Sequence, residues 1–219
     1  MRRKISSLLV VLLIIGSACD SSPSVDYIRG NNVRSEQFDR TEVWDTFTYG
    51  DDVHFRIENG TYRATAPYVE GWIWALDIDE PQHTDVVIEV ETRQLSDLTN
   101  NGYGVMCRAD INNNGDGYYF LISGDRYYAI ARGNEDNVVA LIEGTTPSSA
   151  IQQEPAPNTI RAVCIGDYLA LYVNNEFLAE THDSRYSWGL AGLAVTAFES
   201  GDVDITFDNL NVWEAARKE

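Results

Sequence analysis

From Phe38 onward the chain alternates apolar and polar positions with a period of two, in short runs broken by turn residues. Successive side chains of a strand point to opposite faces, so this alternation marks strands with one buried face. Such runs are VHFRI (53–57), TYRATA (61–66), GWIWALDI (71–78), DVVIEVETR (85–93), YGVMCRA (103–109) and GYYFLIS (117–123). They continue as RYYAIAR (126–132), NVVALIE (137–143), TIRAVCI (159–165), YLALYV (168–173), FLAET (177–181), GLAGLAVTAF (189–198) and VDITFDNLNVW (203–213). Asn59-Gly60, Gly124-Asp125, Gly166-Asp167 and Asn174-Asn175 separate neighbouring runs, and such pairs suit tight hairpins. Helical periodicity over more than ten residues is missing, save for the charged tail after Trp213. The pattern predicts an all-β, two-sheet antiparallel sandwich.

The first residues follow a different rule. Met1-Arg2-Arg3-Lys4 is basic, Leu8 to Ile15 is apolar throughout, and Gly16-Ser17-Ala18 follows. This apolar run of eight residues falls short of the roughly 20 that a spanning helix needs. Residues 1–18 therefore read as a cleaved signal peptide. Small residues ending at Cys19 resemble the bacterial lipobox, in which the thiol is diacylated and becomes the new N-terminus. Gly16 stands where that pattern prefers Leu. The resemblance implies a lipoprotein of the cell envelope, anchored by acylated Cys19 in the bilayer of a bacterial membrane, with its domain outside the cytoplasm. Residues 19–35 are polar and read as the lipidated cysteine and a flexible linker, residues 36–214 as the folded domain, and 215–219 as a tail.

Charge narrows the partners. The formal charge of −18 becomes −21 when residues 1–18 are removed, because they hold three basic residues and no acidic one. A surface this acidic repels phosphate backbones, which excludes nucleic acid as the expected partner. Cations and neutral polymers such as glycans stay open. Of the three cysteines, Cys107 and Cys164 remain for the domain. Each shares strand parity with apolar neighbours, Cys107 with Val105 and Cys164 with Ile160 and Ala162. In an oxidising compartment two such cysteines form a disulfide when their faces meet one core, and otherwise stay as buried thiols.

The second half, with YGVMCRAD, GYYFLISGDRYYAIAR, NTIRAVCIGDYLALYVNNEFLAE, GLAGLAV and VDITFDNLNV, resembles the concanavalin A-like lectin/glucanase superfamily in its laminin-G-like jelly-roll form. It is similar to the domains of unknown function related to 3-keto-glycoside hydrolases that occur in bacterial lipoproteins. The hairpin LALYVNNEFLAE and the closing FDNLNV carry most of the likeness, which spans roughly residues 38–213. The resemblance implies a concanavalin A-like jelly roll. That fold hosts lectins, hydrolases and adhesion modules alike, so it leaves the activity open.

Four stretches hold candidate chemistry. Retaining glucanases of the superfamily carry a Glu-x-Asp-x-x-Glu strand, with nucleophile and acid/base about 5–5.5 Å apart. The nearest match is Ile88-Glu89-Val90-Glu91-Thr92-Arg93, which lacks the third acid; Glu89 and Glu91 equally suit the wet face of a strand. Asp110, Asn112, Asn114 and Asp116 offer oxygens at alternate positions, with Gly115 at the sixth, as at the start of a calcium loop. Leu121 holds the twelfth position, where a Glu belongs, so calcium and a plain polar turn both fit. His54, His83 and His182 fall in no nucleophile or zinc pattern. The aromatics give the last signal, five Trp and twelve Tyr. Alternation puts Trp72 and Trp74 on one face, and with Cys107 and Phe120 as core markers it turns Arg108 and Tyr119 outward. These four are the candidate ligand-binding residues, since sugars stack on aromatic rings while polar groups fix their hydroxyls. The functional expectation is a noncatalytic module that recognises a glycan or another cell-surface ligand. The alternative is a hydrolase acting on a sugar derivative.

Overall fold

A computed structural model of the chain describes residues 22–40, 44, 46–49, 53–67, 71–78, 81–112, 114–135, 137–197 and 202–219. The signal peptide and Cys19 lie outside the described residues. All the predicted runs are strands, and the four hairpin pairs turn where expected.

One sheet has nine strands. It contains β1 (Tyr27–Glu36), β2 (Phe47–Tyr49), β3 (Val53–Glu58), β4 (Thr61–Ala66), β6 (Val86–Gln94), β11 (Asn158–Ile165), β12 (Tyr168–Val173), β13 (Glu176–His182) and β15 (Val203–Arg217). The other has six: β5 (Gly71–Leu76), β7 (Asn101–Ala109), β8 (Gly117–Ser123), β9 (Tyr128–Asn134), β10 (Asn137–Glu143) and β14 (Leu190–Ala197). The six run in the order β10-β9-β8-β7-β14-β5, all antiparallel. The larger sheet runs β13-β12-β11-β6-β15-β4-β3-β2, with β1 added against the second half of β15.

The two inner faces bury one common core. Ile88 and Val90 of β6, Ile160 and Ala162 of β11 and Leu169 and Leu171 of β12 meet Val105 of β7, Phe120 and Ile122 of β8 and Leu193 and Val195 of β14. Cys107 and Cys164 are disulfide-bonded across that core, with Cα atoms 6.9 Å apart, so one covalent link joins the sheets. A second link is ionic. Arg34 of β1 reaches the fully buried Asp77 just beyond β5, Nε to Oδ2 at 2.9 Å.

Two strands, β1 and the three-residue β2, escape the sequence pattern, and β15 runs past its predicted end. Residues 27–35, within the stretch read as a flexible linker, belong to β1, which pairs with β15 from Tyr27↔Arg217 to Glu36↔Leu210. Polar side chains suffice there because an edge strand gains its place through backbone hydrogen bonds while its side chains stay largely wet. β15 itself runs to Arg217, so the tail after Trp213 is strand, not helix.

Candidate functional site

The outer face of the six-stranded sheet holds a second apolar cluster, including Leu76, Met106, Tyr119, Leu121, Leu190 and Ala194, with Trp72 and Trp74 packed against it. Register aligns this face in rows. Trp72, Thr196, Gly102 and Ser123 form one row, and Trp74, Ala194, Gly104, Leu121 and Ala129 the next. Glycine and alanine dominate the middle of these rows, so the two indoles of β5 have a low floor to lie over. At Gly104 the floor cannot rise, since a Cβ would sit 1.9 Å from the Phe120 carbonyl oxygen.

Loop 110–116, between β7 and β8, folds onto this face. Gly115 is its contact point. Its carbonyl accepts from the Tyr119 hydroxyl at 2.7 Å, and a Cβ there would come within 2.9 Å of Trp74 Cη2. Gly115 also has φ +84°, a conformation that costs glycine little. Gly133 of β9 completes the fit, because a Cβ on it would meet the Gly115 oxygen at 1.9 Å. The loop thus walls one end of the face.

At the other end the face stays open as a cavity of ≈ 380 Å³. Trp72 of β5 forms one side, Gly102 and Leu121 the floor, and Tyr127, Tyr128, Val138 and Glu143 the far side around β9 and β10. Trp72 meets Tyr119 edge-on at 5.3 Å, which fixes the indole plane beside the opening. The lining is largely apolar, with Glu143 its only carboxylate among the described residues and the Ser123 hydroxyl donating to Asp125 nearby. In the Trp72 row, Thr196 is buried and its hydroxyl has no hydrogen-bond partner among the described residues. A buried hydroxyl without a partner is costly in a dry site.

The four sequence candidates separate. Trp72 borders the cavity. Trp74 lies on the same face but packs under the loop wall, and Tyr119 is fully buried beneath both. Arg108 is not on this face, which corrects the alternation argument. It takes φ +54° at a bulge between the pairs Leu190↔Ala109 and Gly192↔Met106, and there the period of two slips. Its guanidinium, 2% exposed with the rest of the residue, donates to the carbonyls of Thr84 (2.9 Å), Gly166 (2.7 Å) and Tyr186 (2.9 Å) and meets Asp85 at 3.2 Å. Burial pushes its pKa down, and the Asp85 carboxylate pulls the other way. Arg108 is a clasp for three loops.

The candidate calcium loop is a self-bonded turn. Asp110 Oδ1 accepts from the backbone and side-chain nitrogens of Asn112, Asn114 Oδ1 from Asp116 N, and Asp116 Oδ1 from Glu135 N. These three oxygens accept hydrogen bonds from within the turn and from the next hairpin. Among the described residues no three His, Cys, Asp or Glu side chains group to hold a metal ion. Glu89 and Glu91 stand on β6, in the opposite sheet and on its outer side, so the whole sandwich separates them from the cavity. Glu89 is held by Arg29 at 2.8 Å and Arg161 at 2.7 Å. Burial raises its pKa, but the two guanidiniums outweigh that and hold it below the usual carboxylate range.

Tyr127, Tyr128, Glu143 and Gly102 were not singled out by the sequence reading. The signal available for them was the doublet Tyr127-Tyr128 directly after the Gly124-Asp125 turn, where aromatic residues flank a hairpin end.

No protein-family model matches the sequence, and no curated protein matches it. Solved structures do. The carbohydrate binding module CBM66 from Bacillus subtilis superposes with a TM-score of 0.62 at 17% identity, covering 80% of this chain and 97% of that one. A Bacillus subtilis protein of unknown function with a galectin-like fold gives 0.63 at 11% identity, covering 88% and 100%. The Bacillus licheniformis β-glucanase gives 0.57 at 10% identity, covering 84% and 98%. At these identities the likeness concerns the fold alone, and it agrees with the two antiparallel sheets described above: the chain folds as a concanavalin A-like jelly-roll sandwich.

Proposed function

We propose that this protein binds a neutral glycan without cleaving it, in the cavity beside Trp72, and that acylated Cys19 holds it at a bacterial cell envelope. The observation that carries the reading is the open, largely apolar cavity beside the Trp72 indole, with Tyr127, Tyr128 and Glu143 on its far side. A sugar ring offers an apolar C–H face for such aromatic planes and hydroxyls for the Glu143 carboxylate. One carboxylate in the lining is a hydrogen-bond acceptor for hydroxyls, whereas retaining hydrolysis needs a facing pair. The neighbours described as a carbohydrate binding module and a β-glucanase support a sugar-related role. The formal charge of −18 favours neutral chains over acidic ones.

A glycan array probed with the Cys19→Ser chain tests this. The expected result is retention on neutral glycans, weakened about tenfold or more in Trp72→Ala, as loss of a stacking partner implies. No retention on any glycan, or release of shortened chains from the bound ones, would overturn it.

A further inference from the structure

We propose that the end of the six-stranded sheet beside the N-terminus is a membrane-contact surface, on which Ile78, Ile111 and Trp188 enter the headgroup layer of a zwitterionic bilayer. The proposal rests on the reading of Cys19 as an acylated residue. The three residues are 58%, 55% and 57% exposed, and they follow or precede the ends of three neighbouring strands. Each stands two residues beyond a member of the outer-face cluster: Ile78 after Leu76, Ile111 after Ala109, Trp188 before Leu190. Their strands β5, β7 and β14 are neighbours, β14 lying in the middle. The apolar face therefore continues past the strand ends into an exposed rim.

The N-terminus leaves near this end, across the outer face of the nine-stranded sheet, where Val25 and Tyr27 pack. Ser24 N donates to Glu180, two residues before the end of β13, and Lys218 N donates to the Asp26 carbonyl. Arg217 then pairs with Asp167 at 2.9 Å, and Asp183 N donates to the Asp167 carbonyl. The Arg108 clasp joins the 166–167 turn to the loop that holds Trp188. Cys19 precedes the first described residue, Ser22, by three positions, a reach of at most about 11 Å. An acyl chain on Cys19 would bring a lipid surface to the side of the sandwich where Ser24 meets Glu180, near this end.

The side chains favour lipid over sugar as the occupant. Two of the three are isoleucines, which give a sugar ring nothing to stack on, whereas an exposed Trp with branched aliphatics suits the boundary between headgroups and acyl chains. The acidic chain is repelled by anionic headgroups, so the surface it meets is zwitterionic. The geometry also gives the contact a use. Gly102, on the floor of the cavity, and Ala109, beside the rim, are seven residues apart on β7, about 23 Å along the strand. Seating the rim on the bilayer turns the cavity outward.

The full chain, recovered with its mature N-terminus, is mixed with phosphatidylcholine/phosphatidylethanolamine vesicles whose acyl chains carry bromine, a short-range quencher of indole emission. The expected result is that the parent loses the Trp188 share of its fluorescence, that Trp188→Phe loses none beyond background, and that Ile111→Ser weakens quenching of Trp188 without changing the fold. Vesicle-bound parent that stays as bright as in plain lipid overturns the contact while leaving the anchor standing. A chain that does not attach to vesicles at all overturns the anchor and this proposal together. Loss of glycan retention in Trp188→Phe, with quenching by Trp188 absent in the parent, makes the rim a sugar platform and also overturns it.

Discussion

The Tyr119 hydroxyl donates to the Gly115 carbonyl at 2.7 Å, so a strand residue at the centre of the outer face holds down the loop that walls it. Trp74 lies against the same glycine. These contacts divide the two indoles of β5 by role: Trp74 supports the wall and Trp72 faces the cavity.

The division is measurable. Trp74→Ala removes a half-buried indole from under the loop and is expected to cost about 2 kcal/mol, less than the 3–5 of a fully buried aromatic. In a domain of this size the melting temperature then falls by about 4–8 °C. Trp72→Ala is expected to change melting less and glycan affinity more. Equal melting shifts with no difference in binding would erase the distinction.

Arg108→Leu keeps the bulk of the side chain and removes every donor. Three loop carbonyls then lose their partner and Asp85 its ion pair. The expected loss is about 3–5 kcal/mol, readable by urea unfolding. Arg108→Lys restores charge without the planar fork and is expected to recover only part of it. A loss below about 1 kcal/mol in the Leu variant would show that water replaces the clasp.

Replacing both Cys107 and Cys164 by Ala opens a loop with sequence separation 57. Chain-entropy reasoning gives a loss of about 4 kcal/mol. Unfolding with and without reductant measures the same quantity in the parent, and the two should agree. A double variant as stable as the oxidised parent would contradict the bridge's role.

Acid should loosen the domain in a defined window. The Glu89 carboxyl is raised by burial but held low by the stronger effect of Arg161 and Arg29. Asp183 is likewise raised by burial and held low by the Tyr118 hydroxyl, the Arg185 amide and Arg132. A folded pKa below the unfolded one gives stability that is present above the unfolded pKa and lost as pH falls through the folded one. Stability is therefore expected to start falling once the pH drops below about 5 and to go on falling through the acid range, and Glu89→Gln with Asp183→Asn should flatten that fall. An acid limb unchanged by the double variant would place the titration elsewhere.

The strands inside each sheet were legible in the sequence because each has a buried face, and burial imposes the period of two. β1 was not, because its place comes from backbone pairing with β15 while most of its side chains stay wet. Trp72, Trp74 and Tyr119, which alternation turns outward, all belong to the outer-face cluster. It failed at Arg108 because one bulge breaks the count, and no residue pattern announces a bulge. The cavity was only half legible. Trp72 follows from its strand, but Tyr127, Tyr128 and Glu143 reach the same space only through the order of β8, β9 and β10 in the sheet. Depth was hidden as well: parity says which face Tyr119 takes, and only the fold of loop 110–116 decides that it is covered.

The pairing of β1 with β15 also governs how the domain bears a pull. The two strands run antiparallel from Tyr27↔Arg217 to Glu36↔Leu210, and β15 continues between β6 and β4 at the heart of its sheet. A force on the N-terminus acts along β1, so the bonds to β15 are loaded side by side, in shear, and must yield together. Were β1 drawn away at right angles, they would open one at a time like a zip. The β1–β15 pairing is therefore mechanically strongest against load along the strand axis.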